Sequence, residues 1–201
     1  SDLFDDATVR RWLGCYETML RDACARPEVV QGELAFAGPA DLALLSRWND
    51  TRSEFRRDAR VHTLFEEQAR RTPDRIAVRL RGDTRSYAEL DRRANQIAHR
   101  LRSLGVQRGS LVGLNVDRNP EMLAAMLGVL KAGAAYVPLD PAYPKDRLAY
   151  MAGDAGLAAL VTQRVHVDVL SWPREHTLLL DADAAELQRH PATPLPADDL
   201  A

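Results

Sequence analysis

Side chains that could do chemistry are scattered along this 201-residue sequence rather than gathered into motifs. The sequence has no glycine-rich phosphate loop with lysine, no Gly-x-Ser-x-Gly motif and no His/Cys group with metal-ligand spacing. None of the five histidines has a sequence neighbour that would activate it, which predicts structural or surface roles for His62, His99, His166, His176 and His190. The sequence therefore assigns no catalytic, cofactor-binding or metal-ligating residue.

Two charged stretches could mediate binding, but each has a simpler interpretation. Arg81-Gly82-Asp83 has the composition of an adhesion tripeptide, yet Gly and Asp are also the residues that a hairpin turn needs, so we predict a turn. The arginines between Arg52 and Arg60 could attract an acidic partner. Because Glu54 and Asp58 are interleaved with them, a solvated linker face is the better prediction.

The bulk composition argues against several classes of function. Lys plus Arg number 27 against 29 for Asp plus Glu, a net charge of -2 that gives no electrostatic reason for a nucleic-acid or membrane partner. No apolar run is long enough to span a bilayer, and the acidic start lacks the layout of a signal peptide. Cys15 and Cys24 are too few for a disulfide framework and are predicted to be reduced thiols. We therefore predict a cytoplasmic globular protein.

The start of the chain predicts one helix followed by a linker. Asp5 or Asp6 can cap the helix and Pro27 follows its end, while a single apolar stripe recurs at spacings of three and four: Val9, Trp12, Leu13, Tyr16, Met19, Leu20 and Ala23. This face needs a partner that the following residues do not supply. Residues 27–60 mix prolines, glycines and charges, which is typical of a linker with one short helix near Asp41–Trp48.

From about Val61 onward, predicted helices and strands alternate. Ser86 and Glu89 form a capping box, and Asn119 with Pro120 opens a later helix. The predicted elements are a helix at 61–71, a strand with Ile76, Val78 and Leu80 inward, a hairpin to 84–87, a helix to Leu104, a strand at 111–116, a helix from Pro120 to Gly133, an extended segment at 136–141, a helix at 145–155, a strand at 158–162, a short helix at 166–170 and a strand at 177–180. This order predicts an α/β fold with a mostly parallel sheet and flanking helices, ending in a surface loop at 190–201.

Two stretches are more specific than the rest, Arg85–Leu90 (RSYAEL) and Leu130–Asp140 (LKAGAAYVPLD). They resemble the first two motifs of the adenylation domains of nonribosomal peptide synthetases, which belong to the adenylate-forming enzyme superfamily. The resemblance extends over residues 61–180, and residues 2–20 with 44–51 are similar to the end of a condensation domain and the linker after it. The departures are small: Ser86 and Asn119 replace other capping residues, and Arg108-Gly109-Ser110 replaces a stretch that more often ends in Asp.

The resemblance implies a partial N-terminal subdomain of an adenylate-forming enzyme, preceded by an amphipathic helix and a linker. It assigns residues 1–26 to the terminal helix of a condensation domain, 27–60 to the interdomain linker, and 61–201 to an adenylation domain cut before its phosphate loop. The intact parent would activate an amino acid with Mg·ATP as aminoacyl-AMP and load it on a phosphopantetheine carrier domain. Its partners would be the remaining domains of the synthetase.

The resemblance assigns no catalytic residue within this chain. Lys131 and Tyr136 are the most tempting candidates, but a helix end and an extended crossover explain both structurally. We expect the isolated chain to bind neither ATP nor amino acid and to self-associate through an exposed sheet edge. The alternatives are a non-catalytic docking module and, less favoured because of the N-terminal segment, a piece of an acyl- or aryl-acid-activating relative.

Overall fold

The computed structural model describes residues 3–196, and the chain divides into two compact units, Ser1–Arg57 and Asp58–Ala201. The last residues of the predicted C-terminal loop, 197–201, lie outside the described residues. Within the described part, no helix is both long and apolar enough to cross a membrane.

The first unit consists of two helices joined by a 3-10 turn. Helix α1 (Asp6–Ala25) begins where predicted, because the Asp5 carboxylate accepts the N–H of Thr8 at 2.7 Å. The turn is Gln31–Glu33, and helix α2 (Pro39–Asn49) contains the predicted short helix. None of these three elements contains a buried side chain, and the α1 stripe is exposed by 45% to 61% at Trp12, Leu13, Tyr16 and Leu20.

Two polar contacts hold α1 to the residues that follow it. The Asp22 carboxylate accepts a bidentate hydrogen bond from Arg26 and the N–H of Ala35 at 2.7 Å. These bonds lower the pKa of Asp22 to about 2. The Cys15 thiol donates to the Asp41 carboxylate at 3.6 Å, and burial together with that negative charge raises the pKa of Cys15.

The second unit contains the alternating helices and strands. They are α3 (Val61–Arg71), β1 (Ile76–Leu80), β2 (Asp83–Ser86), α4 (Tyr87–Ser103), β3 (Leu111–Asn115), α5 (Pro120–Lys131), β4 (Ala135–Pro138), α6 (Lys145–Asp154), β5 (Ala159–Thr162), β6 (Thr177–Leu179) and α7 (Ala184–Leu187). Strands β1 and β2 form an antiparallel hairpin, and the other four form a parallel sheet in the order β4-β3-β5-β6. The predicted fold class is confirmed.

Both faces of the parallel sheet are covered, as parallel sheets require. Successive residues of β5 point to opposite sides: Ala159 and Val161 belong to one buried cluster, and Leu160 belongs to the other. Helices α4 and α5 cover the first side. They pack closely at Gly128, where an added Cβ would lie 2.6 Å from the Ile97 Cγ2 atom. Helix α6 covers the second side through Leu148 and Ala152.

The predicted helix starts are confirmed by their caps. The Glu89 N–H donates to Ser86 Oγ at 3.2 Å, and the Ser86 N–H donates to Glu89 Oε2 at 2.8 Å. The backbone bond from Ser86 is the main reason that the pKa of Glu89 is lowered. Asn119 accepts the N–H of Met122 at 3.1 Å and so caps α5. The local residues therefore determine where α4 and α5 begin.

Two local predictions were wrong. Ile76 and Leu80 are exposed by 51% and 37%, and a register shift between Ile76 and Val78 interrupts the pairing at the start of this strand. The predicted short helix at 166–170 is a 3-10 turn at Arg164–His166. The described residues after His190 are mostly exposed, as expected of a surface loop, and Leu195 among them packs against the core.

The predicted turn within Arg81-Gly82-Asp83 is confirmed, since Arg81 and Gly82 connect β1 to β2 and both have positive φ. Helix α7 and the 3-10 turn at Arg174–His176 were not predicted, because both are too short for periodicity to reveal.

Candidate functional site

The carboxyl edge of the parallel sheet is the place where the topology favours a binding site. Helix α5 leads from β3 to β4 on one side, and α6 leads back across the sheet to β5 on the other side of β3. The connections after β3 and β5 therefore run in opposite directions, which opens a crevice at the carboxyl ends of these strands. Ligands of open α/β sheets bind at such a switch point.

Buried polar side chains connect the strand ends at this edge. Asn115, at the end of β3, is fully buried and donates from Nδ2 to the carbonyl of Leu139 at 2.8 Å. Thr162, at the end of β5, donates from Oγ1 to the carbonyl of Asn115 at 2.8 Å. Since both side chains have protein partners, they fix the edge rather than offering open ligand contacts.

A histidine–carboxylate pair lies just beyond these strand ends. His166 Nε2 is 2.9 Å from Asp117 Oδ1, and the Asp117 N–H donates to Gln163 Oε1 at 2.8 Å. The His166 side chain is 16% exposed and that of Asp117 is 57% exposed. The pair joins the loop after β3 to the turn after β5, and it could bind or exchange a proton with a polar ligand in the crevice.

The sequence analysis predicted a structural or surface role for His166 and did not identify this pair. The two residues are 49 positions apart, so no local spacing connects them. A usable signal did exist, because Asp117 and His166 each follow a predicted buried strand, and neighbouring parallel strands end at the same edge. The predicted role of His166 stays a prediction.

A cavity of about 620 Å³ opens beside the pair, between the ends of β3 and β4 and the first turns of α5. Its floor is apolar and its rim is charged, with the main contributors being Met122, Met126, Tyr136, Asp117, Arg118 and Asp140. This volume lies within the range of small-molecule sites. The arrangement suits a ligand with an apolar part and a charged part.

Lys131 lies elsewhere, in a buried network that connects three helices. Its side chain is 3% exposed, and its Nζ donates to Glu66 of α3, to Asp91 at 2.9 Å and to Asn95 at 2.8 Å. A buried charge with several partners holds elements together. Tyr136 instead lines the cavity described above.

The prediction that no residue of this chain is catalytic, cofactor-binding or metal-ligating is not tested by this geometry. Among residues 3–196, no group of three or more His, Cys, Asp and Glu side chains is placed to hold a metal ion. A ligand in this cavity would be contacted by its lining residues, which include Asp117 of the Asp117–His166 pair.

Comparison with known proteins identifies the family. The family model described as "AMP-binding enzyme" matches residues 65–200, more than half of the chain, and the chain belongs to this family. The predicted resemblance to nonribosomal peptide synthetase adenylation domains is confirmed. The chain is 44% identical, over 99% of its length, to a linear gramicidin synthase protein of Brevibacillus parabrevis, of which it spans 4%.

Two solved structures extend the comparison. A nonribosomal peptide synthetase called FmoA3, bound to alpha-methyl-L-serine-AMP, is 33% identical with a TM-score of 0.75, covering 98% of this chain and 22% of that one. The N-terminal subdomain of Klebsiella oxytoca NpsA, in complex with 3-hydroxybenzoyl-AMSN, is 26% identical with a TM-score of 0.57, covering 69% and 35%. The sheet and its flanking helices are thus those of an adenylation-domain N-terminal subdomain.

Proposed function

We propose that this chain belongs to a peptide synthetase module that activates an amino acid with ATP as aminoacyl-AMP and transfers it to a phosphopantetheine carrier. The main support is that similarity to a linear gramicidin synthase covers 99% of the chain, including the residues before the AMP-binding match. That extent favours a peptide synthetase over acyl- or aryl-acid-activating relatives. Residues 1–26 and 27–60 are assigned in this proposal to the end of a condensation domain and the linker, and residues 61–201 to the adenylation domain.

The described residues fit only part of the proposed ligand. The cavity at the carboxyl edge has an apolar floor and the charged groups Asp117, Arg118 and Asp140 at its rim, so it could contact an adenylate or amino-acid portion. The sequence offers no glycine-rich loop with lysine for the ATP phosphates or their Mg²⁺. We therefore assign the binding of the ATP phosphates and of Mg²⁺ to other parts of the synthetase, and we expect the isolated chain to be inactive.

The first experiment is to sequence the source gene on both sides of this segment and to express both the complete protein and this chain. Amino-acid-dependent exchange of pyrophosphate into ATP is the readout. We expect exchange by the complete protein with a subset of amino acids and none by the chain alone. A complete gene without the remaining adenylation motifs would contradict the proposal, and so would exchange or tight stoichiometric ATP binding by the isolated chain.

The alternative function is a non-catalytic docking module, which the exposed apolar stripe of α1 favours. The same gene sequence discriminates between the two functions, because a docking module requires no phosphate loop.

We further propose that the isolated chain self-associates through the exposed edge of β4, where Ala135 and Pro138 are open to solvent. Light scattering should then give a mass that rises with concentration, and a constant monomer mass would contradict this.

The proposed site of action is the cytoplasm. The two cysteines are free thiols, as is typical of proteins in a reducing compartment. The proposed partners are the other domains of the synthetase, and no nucleic-acid partner is proposed.

A further inference from the structure

A second cavity, of about 360 Å³, lies at the amino edge of the parallel sheet, opposite the cavity described above. Its lining includes Arg60, His62 and Arg108 together with Gly133, and none of the described residues that line it carries a carboxylate. This amino-edge cleft therefore concentrates positive charge. Such a cleft attracts anions more strongly than the same charges would on a flat surface.

The backbone around Arg108 is fixed by hydrogen bonds. The Ser110 N–H donates to the carbonyl of Gln107 at 3.1 Å, and the Gln107 N–H donates to Ser110 Oγ at 2.9 Å. The Gly109 N–H donates to the carbonyl of Gly133 at 2.9 Å, which ties this turn to the start of β4. The Arg108 side chain itself has no ion-pair or hydrogen-bond partner among residues 3–196, so it is available to a ligand.

The N-terminus of α3 forms another wall of the cleft. This helix has 11 residues, and its first bonded amide in the helix ladder is the Leu64 N–H, which donates to the carbonyl of Arg60 at 3.1 Å. The preceding amides of the first turn have no intrahelical acceptor, and the helix dipole places partial positive charge there. Anions bind at such termini when other groups complete the site.

His62 supplies a hydrogen-bond donor inside the cleft. The residue is only 8% exposed and lines the cleft, yet its ring has no hydrogen-bond partner within the described part of the chain. Burial lowers the pKa of His62, so the ring is predominantly neutral near pH 7 and keeps one N–H donor. Neither ring nitrogen is among the completely buried unpaired polar atoms of the described residues, so the imidazole N–H reaches the open space of the cleft, where a bound anion can accept it.

We propose that the amino-edge cleft binds a phosphate group, with Arg60, Arg108 and the His62 ring as its ligands. Two guanidinium groups without a carboxylate match a dianion better than a monovalent carboxylate. The nearest acidic side chain on α3, Glu66, is already engaged by Lys131. The proposal does not depend on adenylation, because the cleft lies at the edge opposite the candidate site.

The test is a titration of the chain with inorganic phosphate, at constant ionic strength maintained with chloride, followed by NMR of the histidine ring C–H groups. The His62 signal is assigned by its loss in His62→Gln. We expect a saturable shift of this signal, and Arg108→Gln should weaken phosphate binding by about tenfold, since it removes a charged hydrogen-bond donor. The matched control is Arg79→Gln, an exposed arginine on β1 outside the cleft, which should leave the affinity unchanged.

A second readout is independent of affinity. Bound phosphate should raise the pKa of His62, because a nearby negative charge favours the protonated ring. The other charges that act on this ring are Glu66, which raises its pKa, and Lys131 and Arg60, which lower it. We expect the midpoint of the His62 titration to move to higher pH with phosphate in the wild type and less so in Arg108→Gln.

Several outcomes would overturn the proposal. They are an equal response to chloride or acetate, equal weakening by Arg79→Gln and Arg108→Gln, or no change at His62 in saturating phosphate. Glycerol phosphate distinguishes two supporting cases. If it binds as well as the inorganic ion, the cleft takes the phosphate group of a larger molecule, and if it is excluded, the ligand is free phosphate.

Discussion

Helices α1 and α4 have similar local designs but different surroundings. Each starts at a side-chain cap, Asp5 or Ser86, and each carries an apolar stripe along one face. The 20 residues of α1 include none that is buried, whereas the 17 residues of α4 include seven. Local sequence therefore specifies where a helix begins and how it is patterned, but not whether its apolar face acquires a partner.

The two units also differ in the solvent exposure of their ion pairs. The Arg10–Asp6 pair on α1 is 76% and 78% exposed, while Lys131 in the second unit is 3% exposed and contacts two carboxylates. Exposed pairs contribute little to stability, and breaking a buried pair by removing one partner is strongly destabilising. Replacing the basic residue of an ion pair should thus destabilise the second unit strongly and the first unit hardly at all.

The largest expected effect is that of Lys131→Met. It leaves Glu66 and Asp91 without their cation, and because these carboxylates keep 16% and 22% exposure we expect a loss of about 3 kcal/mol, at the lower end for buried pairs. Urea unfolding followed by Trp172 fluorescence, in a background with Trp12 and Trp48 changed to Phe, reports on the second unit. The matched control, Arg10→Met, should leave the unfolding midpoint unchanged. A change below about 1 kcal/mol for Lys131→Met would show that the network is not a structural support.

Such long-range pairs mark the limit of what the sequence predicted. The caps at Asp5, Ser86 and Asn119 were predictable because each acts on an amide three residues away, and the strands were predictable from short apolar runs. Lys131 and Asp91 are 40 positions apart, and Asp117 and His166 are 49 apart. These contacts depend on which strands become neighbours, and that order is set by the packing of the whole sheet.

The next largest effect on stability is expected from alanine substitution of one of two helical glycines. In Gly128→Ala the new Cβ would lie 2.6 Å from Ile97 Cγ2 and 3.0 Å from the Ala94 carbonyl oxygen, so α4 and α5 must separate. We expect a loss of about 2 kcal/mol, despite the better helix propensity of alanine. Gly14→Ala in α1 meets nothing within 4 Å and should increase helical content by circular dichroism. Stabilisation of the chain by both substitutions would contradict the close packing of α4 against α5 at Gly128.

A smaller effect is expected from removal of the two caps. Ser86→Ala removes the acceptor of the Glu89 N–H and should lower the unfolding free energy of the second unit by about 1 kcal/mol. Ser86→Thr keeps the hydroxyl and should retain most of the unfolding free energy that Ser86→Ala loses. Asp5→Ala should fray α1 in hydrogen exchange while leaving the unfolding of the second unit unchanged. A shift of that unfolding midpoint by Asp5→Ala would contradict this prediction.

The smallest expected effect is a pH dependence confined to the first unit. The pKa of Asp22 is lowered to about 2 by its bonds to Arg26 and Ala35, and the pKa of the same carboxyl in an unfolded chain is close to the ordinary value of 3.8. Because the folded pKa is the lower one, the contribution of Asp22 is complete above about pH 4 and is lost as pH falls toward 2. Hydrogen exchange at the Ala35 amide should therefore accelerate across that interval, beyond the intrinsic pH dependence of exchange, while the amides of α4 stay protected. In Asp22→Asn the exchange at Ala35 should be fast at every pH, and an unchanged protection factor in this variant would show that the first unit is held by contacts other than this carboxylate.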